Sequence, residues 1–236
     1  MKKKRQRKKN KEVTLSDIVE NEIKFNGLRQ GFSKALNKFS KNLKYKSSIQ
    51  HSDLTNIPFV TIDGEDSKDF DDAVCAIPEK NGFKLFVAIA DVSHYVQPDT
   101  PLDKEAYNRS TSVYLTDRCI PMLPEKLSNG LCSLRPHVNR LCFVAELNLD
   151  NSGKVLNGDF YRAVMRSHAR LTYTRVAAAL NGKPDEECAK LLPQLETLQS
   201  VAQKLLKRRM SRGSIDLDIL PMKTALLEVP EEEIAS

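Results

Sequence analysis

The chain is 236 residues long and 40% hydrophobic, enough to bury the core of one sizeable domain. Lysine and arginine number 37 against 31 aspartates and glutamates, and the net charge of +6 suits an anionic partner such as nucleic acid. No apolar run is long enough to cross a bilayer, and none follows the charged start as a secretory leader would, so no membrane association and a cytoplasmic location are expected.

Residues 1–11 carry Lys2, Lys3, Lys4, Arg5, Arg7, Lys8, Lys9 and Lys11. Such a run repels itself and is expected to be a disordered basic arm, either a contact for RNA phosphates or a solubilising tail. Residues 12–52 read as a partly helical lead-in. Thr14 and Asp17 are spaced as a capping box, and Phe25, Leu28, Phe32, Leu36 and Phe39 recur at helix-like intervals. The β-branched run 57–62 predicts a strand, 73–77 a second and 83–90 a third, with the Asn81-Gly82 pair marking a hairpin. A short helix is expected at 103–108, an extended piece at 112–116, and a structured loop at 120–134, where Pro121, Pro124 and Gly130 interrupt any regular element. Strands at 141–149 and 156–165 flank a turn at 150–153. A helix at 175–180 stops at Asn181-Gly182, and a long one covers 186–209. Its apolar stripe is Leu191, Leu192, Leu195, Leu198, Val201, Ala202, Leu205 and Leu206. A last strand is expected at 214–220. The sum is an α+β fold, a mixed or antiparallel sheet with flanking helices, with no clean boundary after residue 50. Cys75, Cys119, Cys132, Cys142 and Cys188 are odd in number, lack a CxxC pair, and read as reduced core thiols.

Between the first two strands lies Asp63-Gly-Glu-Asp-Ser-Lys-Asp-Phe-Asp-Asp72. Asp63, Asp69, Asp71 and Asp72 crowd like charges, with Glu65 and Asp66 among them, which is unfavourable unless something neutralises them. Hard divalent cations do so through oxygen ligands. An EF-hand loop beginning at Asp69 fails, because its sixth position is Val74 and not glycine. Two readings stay open on the residues alone: a magnesium site for phosphoryl transfer, or a solvated acidic turn.

The motif Pro-Phe-Val-Thr-Ile-Asp-Gly-Glu-Asp-Ser-Lys-Asp-Phe-Asp-Asp-Ala at 58–73 resembles the signature of the ribonuclease II/ribonuclease R catalytic domain, the RNB exoribonuclease family. Four further blocks resemble that family in order and spacing: Val-Ala-Ile-Ala-Asp-Val-Ser-His-Tyr-Val at 87–96, Asn-Arg-Ser-Thr-Ser-Val-Tyr at 108–114, Ile-Pro-Met-Leu-Pro-Glu-Lys-Leu-Ser-Asn-Gly-Leu-Cys-Ser-Leu at 120–134, and Ser-His-Ala-Arg-Leu-Thr-Tyr at 167–173. The resemblance is strongest to the bacterial ribonuclease R branch. It implies a partial RNB catalytic domain over 53–236 that hydrolyses single-stranded RNA from the 3′ end with Mg2+, releasing nucleoside 5′-monophosphates.

By the same resemblance, Asp71 is the position most tied to catalysis, Asp63 and Asp72 bind metal directly, and Asp69 supports a metal. Tyr114 stacks near the RNA 3′ end. Arg109, Arg135, Arg140 and Arg170 lie in family blocks and are candidate phosphate contacts. His94, His137 and His168 resemble general bases, but no nucleophile is paired with them in the sequence. Family members also carry barrel domains on either side and, in the later half of the catalytic domain, an aromatic clamp, an arginine and a glutamate. None of these is expected here. The alternative is therefore a catalytically weak RNA-binding fragment that needs a second polypeptide to supply the rest.

Overall fold

The computed structural model describes residues 14–48 and 50–215, so the basic arm at 1–11 and nearly all of the strand expected at 214–220 lie outside the described residues. Seven strands form one mixed sheet. Across it they run β1 (Ser52–Leu54), β8 (Val155–Arg166), β7 (Asn139–Asp150), β4 (Gly82–Ala90), β3 (Asp72–Glu79), β2 (Val60–Asp63) and β9 (Ala169–Thr172). The β1–β8 and β2–β9 pairs are parallel, and the other neighbours are antiparallel. The α+β architecture is thus the expected one.

Local chemistry sets the central register. The β3–β4 hairpin turns at Gly82, whose φ is 155°; a Cβ there would lie 1.9 Å from the Leu149 carbonyl oxygen of β7, so only glycine fits. In the β7–β8 turn, Asp150 Oδ1 accepts from the Ser152 and Lys154 amides at 2.8 and 2.9 Å.

Helices cover both faces of the sheet. On one, α5 (Tyr173–Leu180) and α6 (Glu186–Ser211) bury Val60, Leu171 and Leu195 in one cluster and Ala76, Leu85 and Val201 in another. Replacing the fully buried Leu195 by alanine would cost about 2–5 kcal/mol. Arg175 of α5 binds Asp185 at 2.7 Å and Glu187 at 2.8 Å, which locks the two helices together. On the other face, Phe86, Ala88, Cys142 and Val144 pack beneath Leu36 of α2 (Lys34–Asn42), Leu102 of α4 (Pro101–Arg109), and Leu127 and Leu134 of the 120–134 segment. That segment is the expected loop, tightened by a π-helical turn at Leu127–Leu131. The four-residue helix α3 (Val92–Tyr95) follows β4. The lead-in helix α1 (Leu15–Phe25) begins with the expected Thr14–Asp17 capping box and sets Val19 and Ile23 against Ile120 of the small hairpin β5 (Val113–Tyr114) and β6 (Cys119–Ile120).

The lead-in is helical in part, as expected, and two other expectations are corrected. The spacing of Phe25, Leu28, Phe32, Leu36 and Phe39 is shared between two helices. It spans α1, a break and α2, and Phe25 is 87% exposed. On α6, Ala202 and Leu206 are exposed, each one position past Val201 and Leu205, which face the sheet. Cys119 is exposed while Cys75, Cys132, Cys142 and Cys188 are buried; all five are free. Burial pushes the Cys75 thiol up to about 11 and those of Cys132 and Cys142 up to about 12, so these three stay protonated and inert. No helix among the described residues is long and apolar enough to cross a membrane.

Candidate metal and nucleic-acid site

The acidic run links two neighbouring strands. Asp63 closes β2 opposite Thr172 of β9, and Asp72 opens β3 opposite Ile89 of β4. The loop between them is stitched to the core at several points. Ser133 Oγ accepts from the Phe70 amide at 3.1 Å and donates to the Lys68 carbonyl at 3.0 Å. The Leu134 amide donates to Phe70 O, and the Ala90 amide to Asp71 O, both at 2.8 Å. The Phe70 ring is buried, and the Arg170 guanidinium lies 5.5 Å from its centroid. Arg170 Nη2 also donates to the carbonyls of Gly64 and Glu65 at 2.7 Å. The loop backbone is therefore held from β9, β4 and the 133–134 segment, and the carboxylates are presented by a fixed frame.

Their charge is only partly answered by the protein, with Arg170 acting on Asp63 without closing an ion pair. Among the described residues, no lysine or arginine forms an ion pair with Asp63, Asp69, Asp71 or Asp72. Desolvation holds the Asp63 carboxyl above its ordinary value; the Asp72 and Asp69 charges add to the shift, and a Ser67 hydrogen bond and the Arg170 charge oppose it. Asp71 is raised as well, first by desolvation and then by the charges of Asp69, Asp72 and Asp63. Tyr114, 70% exposed, donates its hydroxyl to Asp69 Oδ2 at 3.2 Å. Desolvation and the Asp69 charge push its phenol up to about 12, so it stays a neutral donor. Four hard oxygen donors in a mutually repelling group fit a hard divalent cation. Among the described residues, the one trio of ligand-type side chains whose donor atoms all lie within 4.8 Å of one another is His51, Asp91 and His94.

The candidate arginines occupy different environments. Arg135 is exposed. Arg140 is buried, with Nε donating to the carbonyls of Gly130 at 3.1 Å and Ser133 at 2.9 Å and Nη1 to Asn139 O at 3.1 Å. Arg109 covers the Phe32 ring at 4.0 Å, pairs with Glu105 at 2.9 Å, and donates to the carbonyls of Arg29, Gly31 and Pro121. It thereby joins the lead-in to α4. His137 and His168 are exposed and His94 is half-buried. Sequence reasoning missed Ser133 as the staple of the acidic loop. Its only signal was a polar residue between the apolar neighbours Cys132 and Leu134. The His51, Asp91 and His94 trio was also missed, because 40 residues separate His51 from the Asp91-x-x-His94 pair.

A family model described as the RNB domain matches residues 51–235. Ribonuclease R of Escherichia coli (strain K12) is 54% identical over 169 residues, covering 70% of this chain and 21% of that protein. Ribonuclease R of Vibrio cholerae serotype O1 is 52% identical over 174 residues, with 72% and 21% covered. Among solved structures, Mycoplasma genitalium RNase R in complex with ribose methylated single-stranded RNA aligns with a TM-score of 0.82 and 32% identity, covering 86% of this chain and 33% of that one. The chain spans about a fifth of the length of the curated relatives it matches.

Proposed function

The chain belongs to the RNB domain family, and from that premise we propose that it acts in magnesium-dependent 3′-to-5′ hydrolysis of single-stranded RNA to nucleoside 5′-monophosphates, as part of RNA decay and processing in the cytoplasm. The observation that carries this reading is the unpaired carboxylate group presented on a hydrogen-bonded frame. In this reading Asp63 and Asp72, at the facing ends of β2 and β3, hold Mg2+ directly. Asp69 supports a metal and is oriented by the Tyr114 hydroxyl. Asp71 organises the attacking water. Bound Mg2+ would lower the pKa of water and offset the charge developing on the phosphate. The exposed Tyr114 ring offers a base-stacking face that is indifferent to sequence. Arg135 meets phosphate, whereas Arg109, Arg140 and Arg170 act indirectly by holding the surrounding carbonyls. Residues 12–52 serve as a lead-in packed on a catalytic unit that begins near residue 53.

A second reading is an RNA-binding chain whose hydrolysis depends on another polypeptide. It rests on an open apolar patch on the α6 face of the sheet. Ile89, paired directly with Asp72, is 48% exposed, Phe143 beside it 46%, and Phe160 64%. One experiment separates the two readings. The chain is incubated with a 3′-tailed single-stranded RNA with and without Mg2+, and mononucleotide release and binding are followed together. Mg2+-dependent release that disappears in Asp71→Asn supports the first reading. Salt-sensitive binding without release supports the second. Equal release by wild type and Asp71→Asn would remove Asp71 from the proposed chemistry.

A further inference from the structure

The trio away from the acidic loop is His51, Asp91 and His94. His51 stands where the lead-in enters β1, while Asp91 and His94 follow β4. The two imidazole rings meet edge to face with centroids 5.9 Å apart. Asp91 is 4% exposed. Its Oδ1 accepts from the Ser93 hydroxyl at 2.6 Å and from the His94 amide at 3.1 Å. Its Oδ2 is buried and accepts no hydrogen bond; Arg162 Nε lies 3.1 Å away as an ion-pair partner. His51 Nε2 is likewise buried with no hydrogen-bond partner. The buried His51 Nε2 carries a desolvation cost that a bound partner removes, and the Asp91 carboxylate in the same trio is held only by the half-exposed Arg162 on its Oδ2.

We propose that His51, Asp91 and His94 form a second, separate metal site for a borderline transition-metal dication of the zinc class, which clamps the lead-in to the end of β4. The donor set decides the class. Two imidazoles and one carboxylate suit zinc-like ions, whereas magnesium prefers an all-oxygen shell of the kind the acidic loop offers. Zinc bonds to nitrogen and oxygen are about 2.0–2.2 Å long. Donor atoms spread over as much as 4.8 Å therefore draw inward on binding, which the half-buried His51 and His94 rings permit. The supporting contact is also present. Ser48 Oγ lies 2.9 Å from His51 Nδ1 and can accept its proton, leaving Nε2 free to ligate. In the metal-free chain the Ser48 amide can donate to the same Nδ1 at 3.2 Å, so binding selects between the two tautomers. Arg162 balances Asp91 in the metal-free form. Its side chain is 50% exposed and swings to solvent when the ion enters.

The test uses the whole chain and Co2+, whose visible absorption distinguishes nitrogen-containing tetrahedral sites from octahedral oxygen sites, followed by competition with Zn2+. One equivalent of Co2+ is expected to give the tetrahedral band and to be displaced by Zn2+. The band persists in the Asp63→Asn/Asp72→Asn double variant. His94→Gln and His51→Gln each weaken Zn2+ binding at least tenfold while keeping the wild-type melting temperature in EDTA, and Arg162→Gln tightens it. The proposal is overturned if both histidine variants bind Zn2+ as wild type does, if binding disappears with the acidic-loop substitutions, or if Arg162→Gln weakens it.

Discussion

Arg140 and Asp71 lie in two regions built on opposite electrostatic terms. Arg140 is buried and donates to three backbone carbonyls. Arg109 and Arg170 are similarly engaged on carbonyls and aromatic rings. In the acidic loop, Asp63 and Asp71 are raised by desolvation and by neighbouring aspartates, and no lysine or arginine forms an ion pair with them among the described residues. These three arginines therefore serve the framework, while the carboxylates of the acidic loop, unlike Asp185 or Glu105, are left without an ion pair among the described residues. Charge that the fold has satisfied is structural, and charge it has left unsatisfied at fixed positions is available for an outside partner.

Substitutions should separate the two regions by which property fails. In the acidic loop, activity should fall and stability should not. Asp71→Asn is expected to lower Mg2+-dependent RNA hydrolysis about 1000-fold, or about 4 kcal/mol in the barrier. Its unfolding free energy should stay within about 0.5 kcal/mol of wild type. Single-turnover decay and urea unfolding on the same preparation measure both. A variant that is active, or one that loses several kcal/mol of stability, breaks the distinction.

The converse applies to Arg140. Arg140→Met keeps the apolar stem but removes the side-chain donors from the Gly130, Ser133 and Asn139 carbonyls, the first two of which retain backbone amides, and should cost about 1–3 kcal/mol of stability. The effect reaches the acidic loop through Ser133, which Arg140 holds on its carbonyl and which in turn holds Phe70. The exposed Arg135 supplies the contrast: Arg135→Ala should leave stability within about 0.5 kcal/mol and reduce the salt slope of RNA binding by about 1. If Arg140→Met lowers the salt slope and spares stability, the structural role given to Arg140 is wrong.

Tyr114 sits between the two regions, with its hydroxyl on Asp69 and its ring exposed. Tyr114→Ala should weaken binding of a short single-stranded RNA by about 1–3 kcal/mol through lost stacking, and Tyr114→Phe should retain most of that affinity. Fluorescence anisotropy with a labelled 3′ end reads both. Equal loss in the two variants would transfer the contribution from the ring to the hydroxyl.

These contrasts follow what was legible in the chain. The Asn81-Gly82 hairpin, the Thr14–Asp17 cap, the long helix and the acidic run were readable because each is written in neighbouring residues. The short strands β1 and β9 were not read as strands. Each lies at a sheet edge and pairs in parallel with a strand more than a hundred residues away, so no local pattern records it. The same limit hid the roles of the arginines. Arg135 and Arg140 are five residues apart, yet Arg135 faces solvent while Arg140 turns inward onto the carbonyls of Gly130, Ser133 and Asn139. Cys119 looked like a core thiol from its apolar neighbours, but it lies in the small β5–β6 hairpin outside the main sheet.

The smallest expected effect is the pH dependence of stability. A carboxyl whose pKa is raised on folding binds protons more tightly in the folded than in the unfolded chain. Its contribution is therefore most favourable below the ordinary value of 3.8 and is lost as pH climbs from there through the raised folded values of Asp63 and Asp71. Asp185 and Glu146 act in the opposite sense, because Arg175 for the first, and Tyr161 and Lys84 for the second, hold them below their usual range. Their contribution is present above the ordinary carboxylate values and lost as pH falls. Wild-type stability alone mixes the two, so the informative quantity is the difference between wild type and Asp71→Asn. In EDTA that difference should be flat below pH 3.8 and then move against wild type as pH rises, by less than about 1 kcal/mol given solvent screening. Millimolar Mg2+ should reverse the trend for wild type, because the ion displaces the same protons, and should do so less for Asp71→Asn. Identical pH profiles for the two chains, with Mg2+ shifting both equally, would mean that the crowding of carboxylates in the acidic loop has no energetic consequence and that its open charge is not what binds the metal.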